Sequence, residues 1–181
     1  MMAQVHKTFI SYHHVDEAYK SFFESRFSDL YNVFISRSVS FGDIDPNLKT
    51  ETIRQKIRDE YLKDSTVTVV LVGKETWKRK HVDWEISSSI RQTKYNPRSG
   101  LLGILLPTYP RESIDSYYPF TIPPRLYDNL KCGFAKLYNW SEDPMSVRGW
   151  IHEAFLWRDR LNPNNSFPMF INNRSGMRWQ Y

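Results

Sequence analysis

The sequence predicts an α/β fold: a parallel β-sheet with helices on both faces. Three observations predict it. β-prone runs alternate with helix-period stripes in the order βαβαβαβ, which implies parallel strands joined by right-handed crossovers. Thr66 to Gly73 (TVTVVLVG) is a near-continuous β-branched run, and strands covered on both faces lose the usual inside–outside alternation. A chain of 181 residues, 40% hydrophobic and 25% charged, suits one domain with a modest extension.

Each element has its own signal. His6 to Tyr12 (HKTFISY) is β-prone and reads as the first strand, within 5–12. His13 and His14 break it, and Asp16 is placed to cap a helix striped by Tyr19, Phe22, Phe23, Phe27 and Leu30. Asn32 to Val39 (NVFISRSV) is the second strand, near 33–39, and Ser40 to Asn47 (SFGDIDPN) is a loop. Ile53, Ile57 and Tyr61 mark the second helix, ended by Lys63-Asp64-Ser65 before the buried run 66–73. A third helix over 82–94 is built on Val82, Ile86 and Ile90, and Leu101 to Leu106 (LLGILL) is the fourth strand. Pro107, Pro110, Pro119, Pro123 and Pro124 make 107–131 an irregular surface segment. Gly133 to Trp140 offers a short fifth strand, and Pro144 opens a closing helix with Val147, Trp150, Ile151, Ala154 and Phe155 inward. From Asn162 the chain is aperiodic and rich in Asn, Pro and Ser. That divides it into a domain over 1–161 and a loosely ordered tail over 162–181.

Composition excludes several function classes. The single cysteine, Cys132, permits no intrachain disulfide or cysteine cluster and fits a reducing cytoplasm. No signal-like stretch opens the chain and no run approaches the roughly 20 apolar residues of a membrane span. The expectation is a cytoplasmic protein with no membrane partner. The net charge of +5 supports an anionic partner without naming it. The longest basic tract is only Lys78-Arg79-Lys80, so nucleic acid is not the expected one. His6, His13, His14, His81 and His152 lack ligand spacing, and no metal site is expected. The absence of a Walker sequence or glycine triplet argues against a triphosphatase or dehydrogenase. A receiver-type phospho-acceptor site fails because Ser11-Tyr12 and Gly73-Lys74 stand where it needs acids.

Ligands of open parallel sheets bind outside the carboxyl ends of the strands, near a switch in strand order. That rule selects Ser11 to His14, Ser36 to Asp45, Gly73 to Trp77 and the segment from Pro107. On the helix after Gly73, Glu85 sits at the edge of the buried stripe, in the first turn. Two readings stand there: a carboxylate with a raised pKa facing a cleft, or an ordinary glutamate favoured by the helix dipole.

Phe9-Ile10-Ser11-Tyr12 resembles the opening of TIR domains. The stretch Asp64 to Gly73, then Thr76, Arg79, His81-Val82, Trp84-Glu85-Ile86 and Ser89-Ile90, is similar to the TIR-like family of Thoeris anti-phage systems. Ile122 to Asn129 (IPPRLYDN) is similar to a later stretch of that family, so the resemblance runs from about 5 to 157. One position departs: His81 stands where the family commonly has tryptophan, and Trp84 lies beside Glu85. The resemblance implies a flavodoxin-like TIR fold and an enzyme that cleaves NAD at the nicotinamide–ribose bond. It implies no cofactor, NAD being the substrate, and a cyclic or conjugated ADP-ribose signal that activates a partner effector. It carries the catalytic role onto Glu85. Phe9, Ser11, Tyr12 and His13 would form one wall near the nicotinamide ribose, with Ser36, Arg37 and Ser38 from the second strand. Arg37 would contact phosphate, and Trp77 would stack on a base. Homo-oligomerisation is left open. The first rival expectation is a non-catalytic TIR-like interaction module, and the second an anion- or nucleic-acid-binding protein using the +5 charge.

Overall fold

The computed structural model describes residues 4–37 and 47–181. Five parallel strands form one sheet: β1 (His6–Ser11), β2 (Phe34–Arg37), β3 (Val67–Val72), β4 (Gly100–Leu105) and β5 (Ala135–Asn139). Their order is β2-β1-β3-β4-β5. The chain first builds outward from β1 to β2, then jumps back across β1 to lay down β3 on its other side. The switch point therefore lies between β1 and β3, where Ser11 pairs with Val70. The run 66–73 is central and parallel to β1, as its lack of alternation requires. Ser38, Val39 and the loop from Ser40 through Pro46 lie outside the described residues.

Although every residue of β3 is buried, its side chains still alternate between two apolar layers. Val67, Val69 and Leu71 meet Phe23, Phe27, Val147 and Ile151, which belong to α1 (Glu17–Phe23), its continuation Glu24–Leu30, and α5 (Pro144–Trp157). Val70 and Val72 meet Val82, Ile86 and Leu126, from α3 (Lys80–Ser89) and α4 (Pro124–Lys131). Phe9 joins Ile53, Ile57, Leu62 and Trp84 in a third cluster, between α2 (Thr50–Lys56) and α3. Gly100 is required at the start of β4: a Cβ there would meet the carbonyl oxygen of Ala154 at 2.1 Å, so α5 could not lie so close. The first two helices each finish in wide turns, with amide bonds reaching five residues back, Tyr31 to Arg26 and Leu62 to Ile57.

The structure departs from the sequence reading in four places. Asp16 does not cap α1 through its side chain; it turns inward instead. The third helix ends at Ser89, where the Ser99 amide bonds the Ser89 carbonyl at 2.8 Å and starts the return to β4. The segment 107–131 is not irregular throughout, because Pro123 and Pro124 open α4 instead of preventing it. A proline in the first turn lacks only an N–H that would have no partner there.

The fourth departure is the tail, which is packed rather than loose. Phe167, Phe170 and Trp179 close over Trp77 in a separate aromatic cluster. The Trp179 indole N–H donates to the Ile122 carbonyl at 2.7 Å. Beneath the tail, Arg125 pairs with Asp83 at 2.9 Å, both almost fully buried, and donates to the Phe167 carbonyl at 2.7 Å. The Asp83 carboxylate also accepts the Phe170 amide at 3.0 Å. Sequence periodicity carries no trace of this, since the tail docks by single aromatic anchors and backbone bonds rather than by a repeating face.

Candidate functional site

Ser11 closes β1 and is fully buried; its hydroxyl donates to the carboxylate of Glu85. The contact joins two elements distant in sequence, and it does so at the carboxyl end of the strand beside the switch point. Glu85 lies in the second turn of α3, not the first, and is 2% exposed. The reason is that α3 is buried from Val82 through Ser89, between the sheet, α2, α4 and the tail. Both sequence readings of Glu85, at a stripe's edge or at a solvated helix start, thus underestimated its burial. Desolvation pushes its pKa up to about 8, against a smaller opposing effect of the Ser11 hydrogen bond. Near neutral pH the group holds its proton, and a cation placed beside it would favour release of that proton.

Next along the chain, His13 is 1% exposed and its Nδ1 has no partner among the described residues. Burial, with the nearby charge of Arg79, lowers its pKa to about 4, so the ring is neutral. His81, one helical turn before Glu85, bonds through Nε2 to the Tyr12 carbonyl at 3.2 Å. Burial lowers its pKa as well. The position where His81 departs from the family's pattern is therefore a tie between α3 and the end of β1.

Asp16 lies at the same end of the sheet, against Gly73 and Thr108; the sequence reading took it only as a helix cap and not as a site residue. It is 3% exposed; one carboxylate oxygen accepts from Thr108 at 2.9 Å, and the other has no partner among the described residues. A Cβ on Gly73 would meet that second oxygen at 2.2 Å, so only glycine at the end of β3 leaves room for it. Burial raises the Asp16 pKa. The one sequence signal available was an acid following β1 together with a glycine ending β3.

The remaining expected residues divide. Tyr12 turns toward α1, its hydroxyl donating to Glu17 and its ring 5.6 Å from the Lys20 ammonium. Phe9 is 1% exposed within the third apolar cluster. Its contact with Trp84 supports α3 directly next to Glu85. Ser36 donates to Glu24 at 2.6 Å. Arg37 pairs with Phe9 across β2 and β1, and its side chain lies outside the described residues. Trp77 is not brought to Glu85 with a free face: it is 2% exposed and packed under Phe167, Phe170 and Trp179. Stacking on a base would require that packing to open.

The arrangement gives a desolvated carboxyl group with a hydroxyl partner, one helical turn from His81, at the carboxyl end of the sheet where such folds bind ligands. Among the described residues no set of three or more His, Cys, Asp or Glu side chains is placed to hold a metal ion. No helix among them is long and apolar enough to cross a membrane.

Residues 9–111, more than half of the chain, match the family model described as Thoeris protein ThsB, TIR-like domain. That span contains Phe9, Ser11, Tyr12, His13, Ser36, Arg37, Trp77 and Glu85 and stops before Ile122 to Asn129. Comparison with curated proteins returns no match. Family membership is compatible with NAD-cleaving activity and suggests a role in anti-phage defence. The sheet order and the matched span agree, and the chain belongs to the TIR-like domain family of Thoeris protein ThsB.

Proposed function

We propose that this protein cleaves NAD at the bond between nicotinamide and ribose, producing an ADP-ribose-derived signal that activates a partner effector in anti-phage defence. The observation that carries the reading is the buried Ser11–Glu85 pair at the β1/β3 switch point. The nicotinamide ring of NAD is cationic, so it leaves as a neutral molecule, taking the electron pair of the glycosidic bond. No strong general acid is needed. What the ribose carbon needs is a neighbouring negative charge as oxocarbenium character develops.

Glu85 is suited to that role in a conditional way. Alone in its apolar surroundings it stays protonated, and the approach of a cationic ring favours ionisation. Ser11 then holds the carboxylate in one orientation by donating to it. His13 and His81, held neutral, bring no competing positive charge to the site. Water capturing the ribose carbon gives ADP-ribose. A nucleophile on the adenine or a ribose of the same molecule, held against that carbon with water excluded, gives a cyclic product. NAD is substrate throughout, and no cofactor enters the scheme.

The test compares wild type with Glu85→Gln for NAD binding and nicotinamide release, with extract of phage-infected cells added to supply any trigger. Glutamine keeps the shape and removes the charge. Binding should survive while release falls roughly 10²–10³-fold. An active wild type matched by a folded Glu85→Gln protein would remove Glu85 from the mechanism.

A further inference from the structure

A polar cavity of about 340 Å³ opens away from Glu85, between α2 with its wide turns and the segment that follows α3. Its most unusual lining residue is Arg58, which is only 1% exposed. The guanidinium reaches the Leu62 carbonyl at 3.4 Å and the Ser99 hydroxyl at 3.5 Å, both at the outer limit of a hydrogen bond. Nε and Nη2 are buried with no partner among the described residues. Asp59, next in sequence, accepts instead from the Asn96 amide at 2.8 Å. Burial brings the guanidinium pKa down to about 10, so it keeps its charge at neutral pH. A buried cation with unfilled donors is costly to a fold unless something fills them.

The rim has the same imbalance. Arg54 and Arg91 share one carboxylate, Glu51, at 2.8 and 2.9 Å. Four cationic side chains line the cavity against two carboxylates. A phosphate monoester carries a charge of roughly −1.5 to −2 at neutral pH, and its oxygens match the guanidinium fork. Beside it, Tyr95 is 81% exposed, with the Lys94 ammonium 5.5 Å from its ring centroid. A flat, solvent-facing ring next to a cationic surplus is a surface on which a base can stack.

We infer that this cavity binds a phosphate monoester carrying a flat ring, of which a nucleoside monophosphate is the simplest, with Arg58 and Arg91 on the phosphate and Tyr95 on the ring. The site is distinct from the Ser11–Glu85 pair. Leu62 and Ser99 lead into the amino ends of β3 and β4, whereas Ser11 closes the carboxyl end of β1. Strands of six residues at about 3.3 Å each put the two sites on the order of 20 Å apart. Ile53 and Ile57 of the same helical segment pack against Trp84, the neighbour of Glu85, so an occupant bears on the helix that carries the carboxylate.

The experiment adds adenosine monophosphate, and separately inorganic phosphate, to the intact chain and follows thermal melts and amide NMR spectra. Adenosine monophosphate should raise the melting temperature saturably and move the amides of Arg91 to Tyr95, leaving those of Ser11 and Glu85 in place. Phosphate should move the same amides at higher concentration. Arg58→Met should abolish both responses while melting, without ligand, at or above wild type. Arg91→Ala repeats the test on the rim if Arg58→Met does not fold. Tyr95→Ala should weaken the nucleotide roughly tenfold or more and leave phosphate unaffected. Shifts confined to Ser11 and Glu85, no response at millimolar probe, or unchanged binding by a folded Arg58→Met protein would each overturn the assignment. So would binding limited to polynucleotide, with the steep salt dependence of that class. None of these readouts depends on NAD cleavage.

Discussion

The indole nitrogen of Trp84 donates to the carbonyl of Phe170 at 2.8 Å, tying the helix that carries Glu85 to the C-terminal tail. Glu85 thus sits between two restraints, Ser11 on its own side chain and the tail on its neighbour. The tail is part of what holds the site together.

Removing an anchor of the tail should therefore be costly to the whole fold. Trp179 is 2% exposed and its indole N–H is bonded to Ile122. Trp179→Ala should lower stability by about 3–5 kcal/mol, the usual cost of emptying a large aromatic site. Denaturant titration measures it. A loss below about 1 kcal/mol would mean that the tail contributes little to the fold.

The buried ion pair beneath the tail makes a second prediction. Arg125→Met would leave the Asp83 carboxylate buried without its cation, at a cost of about 3–5 kcal/mol. Adding Asp83→Asn removes the stranded charge, so the double variant should recover much of that loss. Urea titrations of both proteins check this; a double variant as unstable as Arg125→Met would refute it.

Glu85 should also give folding a pH dependence. Its folded pKa, about 8, lies above the ordinary value of 4.5. The folded state therefore holds the proton more tightly, and the stability this gives is complete below pH 4.5 and is lost as pH rises through about 8. His6 and His13 work in the opposite direction on the acid side: with folded pKa values lowered to about 4, their contribution is present above 6.5 and lost as pH falls. Comparing Glu85→Gln with wild type cancels the histidines. The variant should gain on wild type steadily between pH 4.5 and 8. A difference independent of pH would show that Glu85 is not desolvated in solution.

The same group sets the expected pH profile of the proposed reaction. For free enzyme and NAD, kcat/KM reports the ionisation of the unliganded site. Nicotinamide release at low NAD should rise with pH and level off above about 8. At saturating NAD the bound cationic ring favours the carboxylate, and the midpoint should move to lower pH. An identical midpoint in both regimes would separate Glu85 from the titration.

Much of the fold was legible in the sequence because its signals are local. A buried parallel strand such as Val67–Val72 declares itself by β-branched residues without alternation, and the helix stripes by their spacing. The order of these elements determined an α/β sheet, and the glutamate after Gly73 was a candidate on placement and resemblance. Tertiary structure decided what depends on partners far along the chain. Asp16 is inward because Gly73 has no Cβ, and Trp77 is covered because Phe167, Phe170 and Trp179 reach back over it. The environment of Glu85 belongs to the same class. One helix taken alone gives this carboxylate a solvated edge, whereas the sheet, α2, α4 and the tail together exclude water from it and raise its pKa. Periodicity records which face of an element is apolar. Desolvation is set by everything packed around it.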